Sequence, residues 1–264
     1  MKKKSTCYFI LVWLSLFVIL TGMSACTKDD PTSGGSPIIN TNDTIKYFLA
    51  LGDSYSIGQS VSVDERFPNQ TKGMLYLQNV NMAQPDIIAT TGYTTGNLLS
   101  ALSTSPPSRI YDAVSLLIGV NNQYQGRSQA EYKVEFEMLL TKSISYAGGR
   151  VNRVFVLSKA DYSITPFARN LDTTRIAGEI DEFNAINKQI VLQYGVTYID
   201  ITSIFREGKT DSTLNAGDGL HPSGKQYMRW AALHALLIKQ VYEKMFTGIK
   251  IFNIAICYDL HLLL

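Results

Sequence analysis

The stretch KYFLALGDSYSIG, residues 46–58, joins an apolar run to a turn of small residues. The run 46–52 has the length of one β-strand and is apolar on both faces, as in a parallel strand that helices cover on each side. The Gly-Asp-Ser sequence that follows is common in proteins. Ser54 is therefore either a nucleophile at the end of a strand or a serine in an ordinary turn, and the rest of the chain must distinguish the two.

Four further runs along the chain have the same strand-like character. They are DIIATTG (86–92), AVSLLIG (113–119), VNRVFVLS (151–158) and VTYID (196–200). Helical stretches separate these runs, and five strands that alternate with helices predict one open parallel sheet between two layers of helices. We therefore expect an α/β chain whose residues 45–246 form one three-layer α/β/α sandwich with a five-stranded parallel sheet.

Three of the intervening segments carry helix signals. Ser128 and Glu131 have the spacing of a capping box, and the helix that they begin should end at Gly148. Ser223 and Gln226 have the same spacing before the last helix. Apolar side chains recur at helical spacing along the last two predicted helices. They are Ile176, Ile180, Phe183, Ile190 and Tyr194, and then Tyr227, Trp230, Ala231, His234, Ile238 and Val241.

Residues with catalytic chemistry follow three of the predicted strands. Ligands of such sheets bind beyond the carboxyl ends of the strands, and Ser54, Gly92 and Asn121 all lie there. Acyl transfer needs hydrogen-bond donors directed at the developing oxyanion. The backbone N–H groups of Ser54 and Gly92 and the side-chain amide of Asn121 are suitable donors. Ordinary turns account for the same glycine and asparagine when each is considered alone.

A serine hydroxyl also needs a base, and the chain has three histidines. His234 falls on the apolar stripe of the last helix, where a packed core histidine is expected, and His261 lies in the apolar C-terminal segment. His221 lies in the loop DGLHPSG, three residues after Asp218. Such a carboxylate can hold the Nδ1–H of the imidazole and leave Nε2 free for the serine Oγ. A turn followed by a helix cap explains this loop equally well.

Four short blocks in chain order resemble those of the SGNH, or GDSL-type, hydrolase family. They are GDSYSIG (52–58), TGYTTGNLL (91–99), IGVNNQ (118–123) and DGLHPSG (218–224). The resemblance spans residues 46–245 and implies a flavodoxin-like serine hydrolase that needs no metal and no cofactor. It implies that Ser54 is the nucleophile, that His221 is the general base and later the general acid, and that Asp218 orients His221. Gly92 and Asn121 would complete the oxyanion hole with the amide of Ser54.

Two further residues within these blocks have expected structural roles. Asp53 is adjacent to the nucleophile, but we expect it to shape the turn rather than to serve as the triad acid. Asn122 stands where many members of the family have aspartate. This departure concerns the support of the loop more than the mechanism.

The resemblance leaves the ester undefined, because the family includes carbohydrate deacetylases, lysophospholipases, thioesterases and arylesterases. Tyr55, Tyr93 and Tyr124 follow catalytic blocks, and Tyr162 and Phe167 follow the fourth strand. These rings either line the substrate pocket or pack the loops. No long apolar insertion lies near the blocks, which favours short-acyl esters such as acetyl groups on polysaccharides. A lipid ester and a catalytically silent surface binding module remain alternatives.

The first 25 residues have the layout of a signal peptide, with three lysines, an apolar run and small residues before Cys26. A membrane anchor is the alternative for the same run. MSAC (23–26) resembles a bacterial lipobox, which implies acylation of Cys26, and residues 26–44 have the composition of a flexible tether. KDD (28–30) resembles a surface-export signal of some Gram-negative lipoproteins. We therefore expect a monomer that is lipid-anchored in the outer membrane or at the cell surface of such a bacterium.

Charge and cysteine content narrow the classes of function. Without residues 1–25 the chain has 21 basic and 22 acidic residues, a net charge of −1. Nucleic acid is therefore not an expected partner, since its binding needs a concentrated basic face. Cys7, Cys26 and Cys257 give neither a disulfide framework nor a zinc pattern. The apolar segment 247–264 fits an added strand, a membrane-seeking tail or an artefact, and its sequence does not select among these.

Overall fold

The computed structural model describes residues 44–247. The predicted signal peptide, Cys26, almost all of the tether and the C-terminal segment after Thr247 lie outside the described residues. Within the described part of the chain, no helix has the length and apolar character that crossing a membrane requires.

Five parallel strands form one sheet, as predicted. They are β1 (Phe48–Gly52), β2 (Asp86–Ala89), β3 (Ala113–Leu117), β4 (Val154–Leu157) and β5 (Thr197–Ile199), in the spatial order β2-β1-β3-β4-β5. This is the flavodoxin-like order, in which the chain reverses direction across the sheet beside β1. Each strand is shorter than the apolar run that predicted it, because the ends of the runs enter turns. Residues Val151–Arg153, for example, form a 3-10 turn before β4.

Eight α-helices in the described residues connect and cover the strands. They are α1 (Ser54–Ile57), α2 (Phe67–Tyr76), α3 (Thr95–Thr104), α4 (Val120–Tyr124), α5 (Gln129–Tyr146), α6 (Thr173–Gln193), α7 (Thr202–Arg206) and α8 (Gly224–Thr247). Further 3-10 turns lie at Val63–Glu65, Tyr162–Ile164, Pro166–Asn170, Glu207–Lys209 and Ser212–Leu214.

The two faces of the sheet carry separate cores. Phe48 and Ala50 of β1 point to a core that includes side chains of α2 and α8, whereas Leu49 and Leu51 point to one that α3, α5 and α6 cover. All five residues of β1 are buried, as the alternation of side chains along a strand requires when both faces are covered. The three-layer α/β/α sandwich predicted from the sequence is therefore confirmed.

At both predicted capping boxes the N-cap hydroxyl bond forms, but the returning bond from the third helical residue is described at neither. At α5 the Ser128 hydroxyl accepts the N–H of Glu131 at 3.1 Å, and the helix ends two residues before Gly148. At α8 the Ser223 hydroxyl accepts the N–H of Gln226 at 3.3 Å. The returning half of that box is wrong, because the Ser223 N–H donates to the Leu214 carbonyl at 2.9 Å and the buried Gln226 Oε1 accepts no hydrogen bond. The Gln226 amide nitrogen donates to the Ile204 carbonyl at 2.8 Å.

Candidate active site

The turn after β1 places Ser54 at the carboxyl edge of the sheet. Asp53 is the N-cap of α1, and its Oδ1 accepts the N–H of Tyr55 at 3.0 Å. This contact matches the turn-shaping role expected for Asp53. Gly52 has no room for a side chain, since a Cβ there would lie 2.3 Å from the Leu117 carbonyl oxygen of β3 and 2.1 Å from the Ser56 Oγ of α1. The nucleophile predicted from the sequence therefore begins a short helix and is 5% exposed.

The loop before α8 brings Asp218 and His221 into direct contact. His221 Nδ1 lies 2.6 Å from Asp218 Oδ2. The other carboxylate oxygen, Oδ1, accepts the backbone N–H groups of Leu220 at 2.9 Å and His221 at 3.0 Å. These contacts fix both the carboxylate and the loop. The His221 ring is buried and packs against the ring of Tyr55, with centroids 5.1 Å apart.

A serine hydroxyl also reaches the Asp218 carboxylate, and sequence reasoning missed it. Ser60 Oγ donates to Asp218 Oδ2 at 2.6 Å, across 158 positions of sequence. Partial burial raises the pKa of Asp218, but the hydrogen bonds from Ser60, from two backbone N–H groups and from His221 outweigh it and hold the pKa well below its usual range. Asp218 therefore carries its negative charge at neutral pH, as a partner of an imidazolium must.

Ser54 and His221 lie in the wall of one cavity of about 250 Å³. Its lining residues are Ser54, Tyr55, Val120, Asn121, Tyr124, Tyr162, Phe167, Leu220 and His221. A hollow of about 370 Å³ on α5 contains none of these residues and no nucleophile–base pair. The cavity at the carboxyl edge is therefore the candidate active site.

Two of the expected oxyanion donors lie on neighbouring loops. Gly92, in the turn after β2, has φ +82° and open space on its Cα. Asn121 Nδ2 donates one hydrogen to the Tyr93 carbonyl at 3.1 Å, which fixes the amide and leaves its second hydrogen for another acceptor. Gly119 before α4 has φ +114°, and a Cβ there would lie 2.6 Å from Lys159 Cε. Only glycine permits this entry into α4.

Asn122 connects the two loops that carry these donors. Its Oδ1 accepts the N–H of Thr95 at 3.0 Å, and its Nδ2 donates to the Thr95 hydroxyl at 2.7 Å. The Thr95 hydroxyl in turn donates to Glu135 of α5. The buried Asn122 side chain thus fastens α4 to the start of α3, which is the loop support expected of this position.

Three aromatic side chains line the same cavity as Ser54 and His221 and form what we call the aromatic shelf: Tyr124, Tyr162 and Phe167. Their ring centroids lie 6.0 to 6.3 Å apart in pairs. Tyr124 is 57% exposed and Phe167 44% exposed, whereas Tyr162 is buried. Apolar ring area is therefore presented to solvent at the mouth of the cavity.

The two other tyrosines expected to line the pocket are placed differently. Tyr55 touches the cavity but is 3% exposed, and its ring lies between His221 and Trp230. Tyr93 is not in the cavity wall, because its side chain packs against the core on the α3 and α5 side of the sheet. Its contribution to the site is the carbonyl that Asn121 binds.

An ion pair that the sequence did not predict holds the segment bearing the shelf. Arg206 of α7 donates from Nε to Asp161 Oδ2 at 2.8 Å and from its terminal nitrogen to Asp181 Oδ1 at 2.7 Å. The side chain of Asp161 is 1% exposed, and its other oxygen accepts the N–H of Ser163 at 3.0 Å. Tyr162 lies between Asp161 and Ser163 in the chain, so the position of the aromatic shelf depends on the contact between Arg206 and Asp161.

A buried lysine lies close enough to Asp53 for the two charges to interact. Lys159 is fully buried, donates to the Phe183 carbonyl at 3.2 Å and lies 4.6 Å from the centroid of the Tyr132 ring. Burial lowers its pKa well below the usual value, and the charge of Asp53 opposes that change. Burial likewise raises the pKa of Asp53 to about 7. The sequence signal that could have identified this buried residue is a lysine two residues after an apolar strand.

No group of three His, Cys, Asp or Glu suited to a metal ion occurs in residues 44–247.

The sheet, the Ser54 turn and the Asp218–His221 pair together define a three-layer hydrolase of the GDSL type. Residues 50–229 match the GDSL-like lipase/acylhydrolase family, and the chain belongs to that family. Its members are ester hydrolases. No curated protein sequence matches the chain at a significant level.

Solved structures of other proteins share the fold at low sequence identity. The acetylxylan esterase Axe2 of Geobacillus stearothermophilus is 19% identical with a TM-score of 0.57, covering 74% of this chain and 95% of that one. A lipase/acylhydrolase of Enterococcus faecalis is 20% identical with a TM-score of 0.56, covering 74% and 96%. LAE5, an alpha/beta hydrolase from a Lake Arreo metagenome, is 13% identical with a TM-score of 0.57, covering 75% and 96%.

Proposed function

We propose that this protein is a serine esterase that hydrolyses carboxylic esters through an acyl-enzyme on Ser54. One observation carries the proposal. His221, held at 2.6 Å by an ionised Asp218, lies in the wall of the same cavity as Ser54. A base with this orientation can activate a serine hydroxyl, which is a weak nucleophile alone.

The proposed reaction has two halves. Ser54 Oγ attacks the ester carbonyl while His221 Nε2 takes the hydroxyl proton, and Asp218 stabilises the imidazolium that forms. The N–H groups of Ser54 and Gly92 and the free hydrogen of the Asn121 amide bind the oxyanion. As the tetrahedral intermediate collapses, His221 gives its proton to the departing alcohol. A water then attacks the acyl-enzyme by the same route and releases the carboxylic acid.

We propose a short acyl group on a carbohydrate as the substrate. The cavity of about 250 Å³ is small for a long acyl chain. The exposed rings of Tyr124 and Phe167 offer apolar area on which the C–H face of a sugar can pack. The name of Axe2, an acetylxylan esterase, agrees with this choice.

The first experiment compares p-nitrophenyl acetate, butyrate and palmitate with the wild type and with Ser54→Ala. We expect acetate to be hydrolysed fastest and the variant to lose activity by a factor of about 10³ or more. Ser62→Ala is the matched control, because its hydroxyl bonds Glu65 rather than the site. Preference for palmitate would favour a lipid ester. Equal rates for the wild type and Ser54→Ala would indicate that the protein is a binding module and not a serine esterase.

We also propose that the chain is exported and anchored as a monomer by acyl chains on Cys26. The support is the sequence of the first 26 residues, with its lysines, apolar run and MSAC motif. Stable attachment needs more than one acyl chain. Wild type but not Cys26→Ser should incorporate radiolabelled palmitate and appear in the membrane fraction. Wild type that carries no palmitate and is recovered from the membrane with residues 1–25 still attached would indicate a transmembrane anchor instead.

A further inference from the structure

The turn formed by residues 58–60, directly after α1, is fixed to the nucleophile. The Gly58 and Gln59 N–H groups both donate to the Ser54 carbonyl, the second at 3.0 Å. Gly58 has φ +70°, and a Cβ there would lie 2.3 Å from Arg66 Cγ. The left-handed conformation of Gly58 and the contact with Arg66 therefore fix the backbone of the 58–60 turn.

Ser60 adopts an unusual backbone conformation within this turn. Its φ is +68°, and Asn79 is the other described residue besides glycines with a positive φ. Asparagine tolerates that region, whereas serine adopts it less readily. Such conformations persist where surrounding contacts hold them and cluster at functional sites. The contact here is the hydrogen bond of 2.6 Å from the Ser60 hydroxyl to Asp218 Oδ2.

The oxygen that Ser60 binds is the one that faces the base. Asp218 Oδ2 meets both His221 Nδ1 and Ser60 Oγ, each at 2.6 Å, whereas Oδ1 takes two backbone N–H groups. Without Ser60, His221 is the one remaining partner described for Asp218 Oδ2, so nothing else described holds that oxygen in place.

The residue beside Ser60 reaches the opposite side of the site. Gln59 Oε1 accepts the Thr91 hydroxyl at 2.5 Å, and Thr91 directly precedes Gly92. Two adjacent side chains of the 58–60 turn thus contact the triad acid and the oxyanion loop, while the backbone of the same turn binds the nucleophile residue. This arrangement fixes three separate parts of the site relative to one another.

We propose that Ser60 is a positioning residue of the esterase, whose hydroxyl holds Asp218 in the orientation that His221 requires. The proposal rests on the catalytic roles proposed above for Ser54, Asp218 and His221. Ser60 does not touch the reacting atoms. It acts through Asp218, so its loss should slow the chemical steps and leave substrate binding unchanged.

The test compares Ser60→Ala and Ser60→Gly with the wild type. Glycine is favoured at φ +68°, so Ser60→Gly removes the hydroxyl without backbone strain. Ser62→Ala is the matched control, since it removes another hydroxyl–carboxylate bond of the same loop, 2.8 Å long to Glu65. The readouts are kcat and KM for p-nitrophenyl acetate. A second readout is the rate at which an aryl phosphonate labels Ser54, releasing p-nitrophenolate.

We expect both Ser60 variants to lose about fivefold to tenfold in kcat, as suits a partly exposed hydrogen bond to a charged group. KM should stay within twofold, labelling should slow by the same factor as kcat, and Ser62→Ala should match the wild type. A kcat within twofold of the wild type in either Ser60 variant would overturn the role of the hydroxyl. If the phosphonate labels the wild type but the wild type hydrolyses no ester, the proposed substrate is wrong. The labelling rates of the Ser60 variants still test the role of Ser60 in that case. Wild type that is not labelled would overturn both proposals.

Discussion

Replacing His234 by leucine should make the protein more resistant to acid. His234 is fully buried in α8, with the rings of Phe48, Phe67 and Phe155 at centroid distances of 5.3, 6.0 and 5.2 Å. Its Nδ1 lies 3.4 Å from the Thr71 hydroxyl, and its Nε2 has no hydrogen-bond partner. A protonated ring would therefore place a charge among aromatic side chains without a counter-ion.

The size of the effect follows from the pKa. Burial lowers the pKa of His234 from 6.5 to about 3. Because the folded-state pKa is below the unfolded one, its contribution to stability is complete above pH 6.5 and is lost as the pH falls towards 3. Between pH 7.5 and 4.5 the histidine of the unfolded chain binds a proton that the buried histidine of the folded chain does not bind. The loss in unfolding free energy from this residue is about 2.5 kcal/mol.

Urea unfolding of wild type and His234→Leu at both pH values measures this difference. Every other titrating group is common to the two proteins, and any cost of leaving Thr71 unpaired is the same at both pH values, so both cancel in the comparison. The wild type should lose about 2.5 kcal/mol more than the variant on acidification. If the two proteins lose the same free energy within about 1 kcal/mol, the burial argument for His234 is refuted.

Three further substitutions test the site. Asn121→Ala should lower kcat about 10²-fold or more with little change in KM, because it removes a proposed oxyanion donor. If steady-state kinetics show a decrease in kcat below about fivefold, Asn121 does not have that role. Tyr124→Ala should raise KM for an acetylated xylo-oligosaccharide severalfold while p-nitrophenyl acetate kinetics stay unchanged, and equal effects on both substrates would refute sugar packing. Arg206→Ala should lower the melting temperature by about 2–6 °C, because the buried Asp161 carboxylate loses its counter-ion; an unchanged calorimetric transition would show that this pair contributes nothing.

The fold and the centre of the site were predictable because their signals are local. The three central strands β1, β3 and β4 are buried on both faces, and each predicted catalytic residue lies in a short block after a strand or before a helix. Asp218 and His221 meet within one turn, so their spacing of three residues was sufficient. His234 was recognised as a core residue from the stripe of α8, and its burial confirms that interpretation.

The unpredicted contacts join residues far apart in the chain. Ser60 meets Asp218 across 158 positions, and Arg206 meets Asp161 across 45. Neither pair lies in a repeating pattern, because loop geometry rather than helix or strand periodicity brings the side chains together. Tyr93 illustrates the converse case. Its place after Gly92 suggested the pocket, but the turn directs its ring into the core on the α3 side.

The amide at Asn122 sets the direction of a chain of hydrogen bonds and thereby couples Asn122 to Glu135 through Thr95. Because Asn122 Nδ2 donates to the Thr95 hydroxyl, that hydroxyl can give its own proton to Glu135. An aspartate in place of Asn122 could not donate, so two carboxylates would compete for one hydroxyl hydrogen. Asn122→Asp should therefore weaken either the contact between α4 and α3 or the one between α3 and α5, because the Thr95 hydroxyl can donate to only one carboxylate.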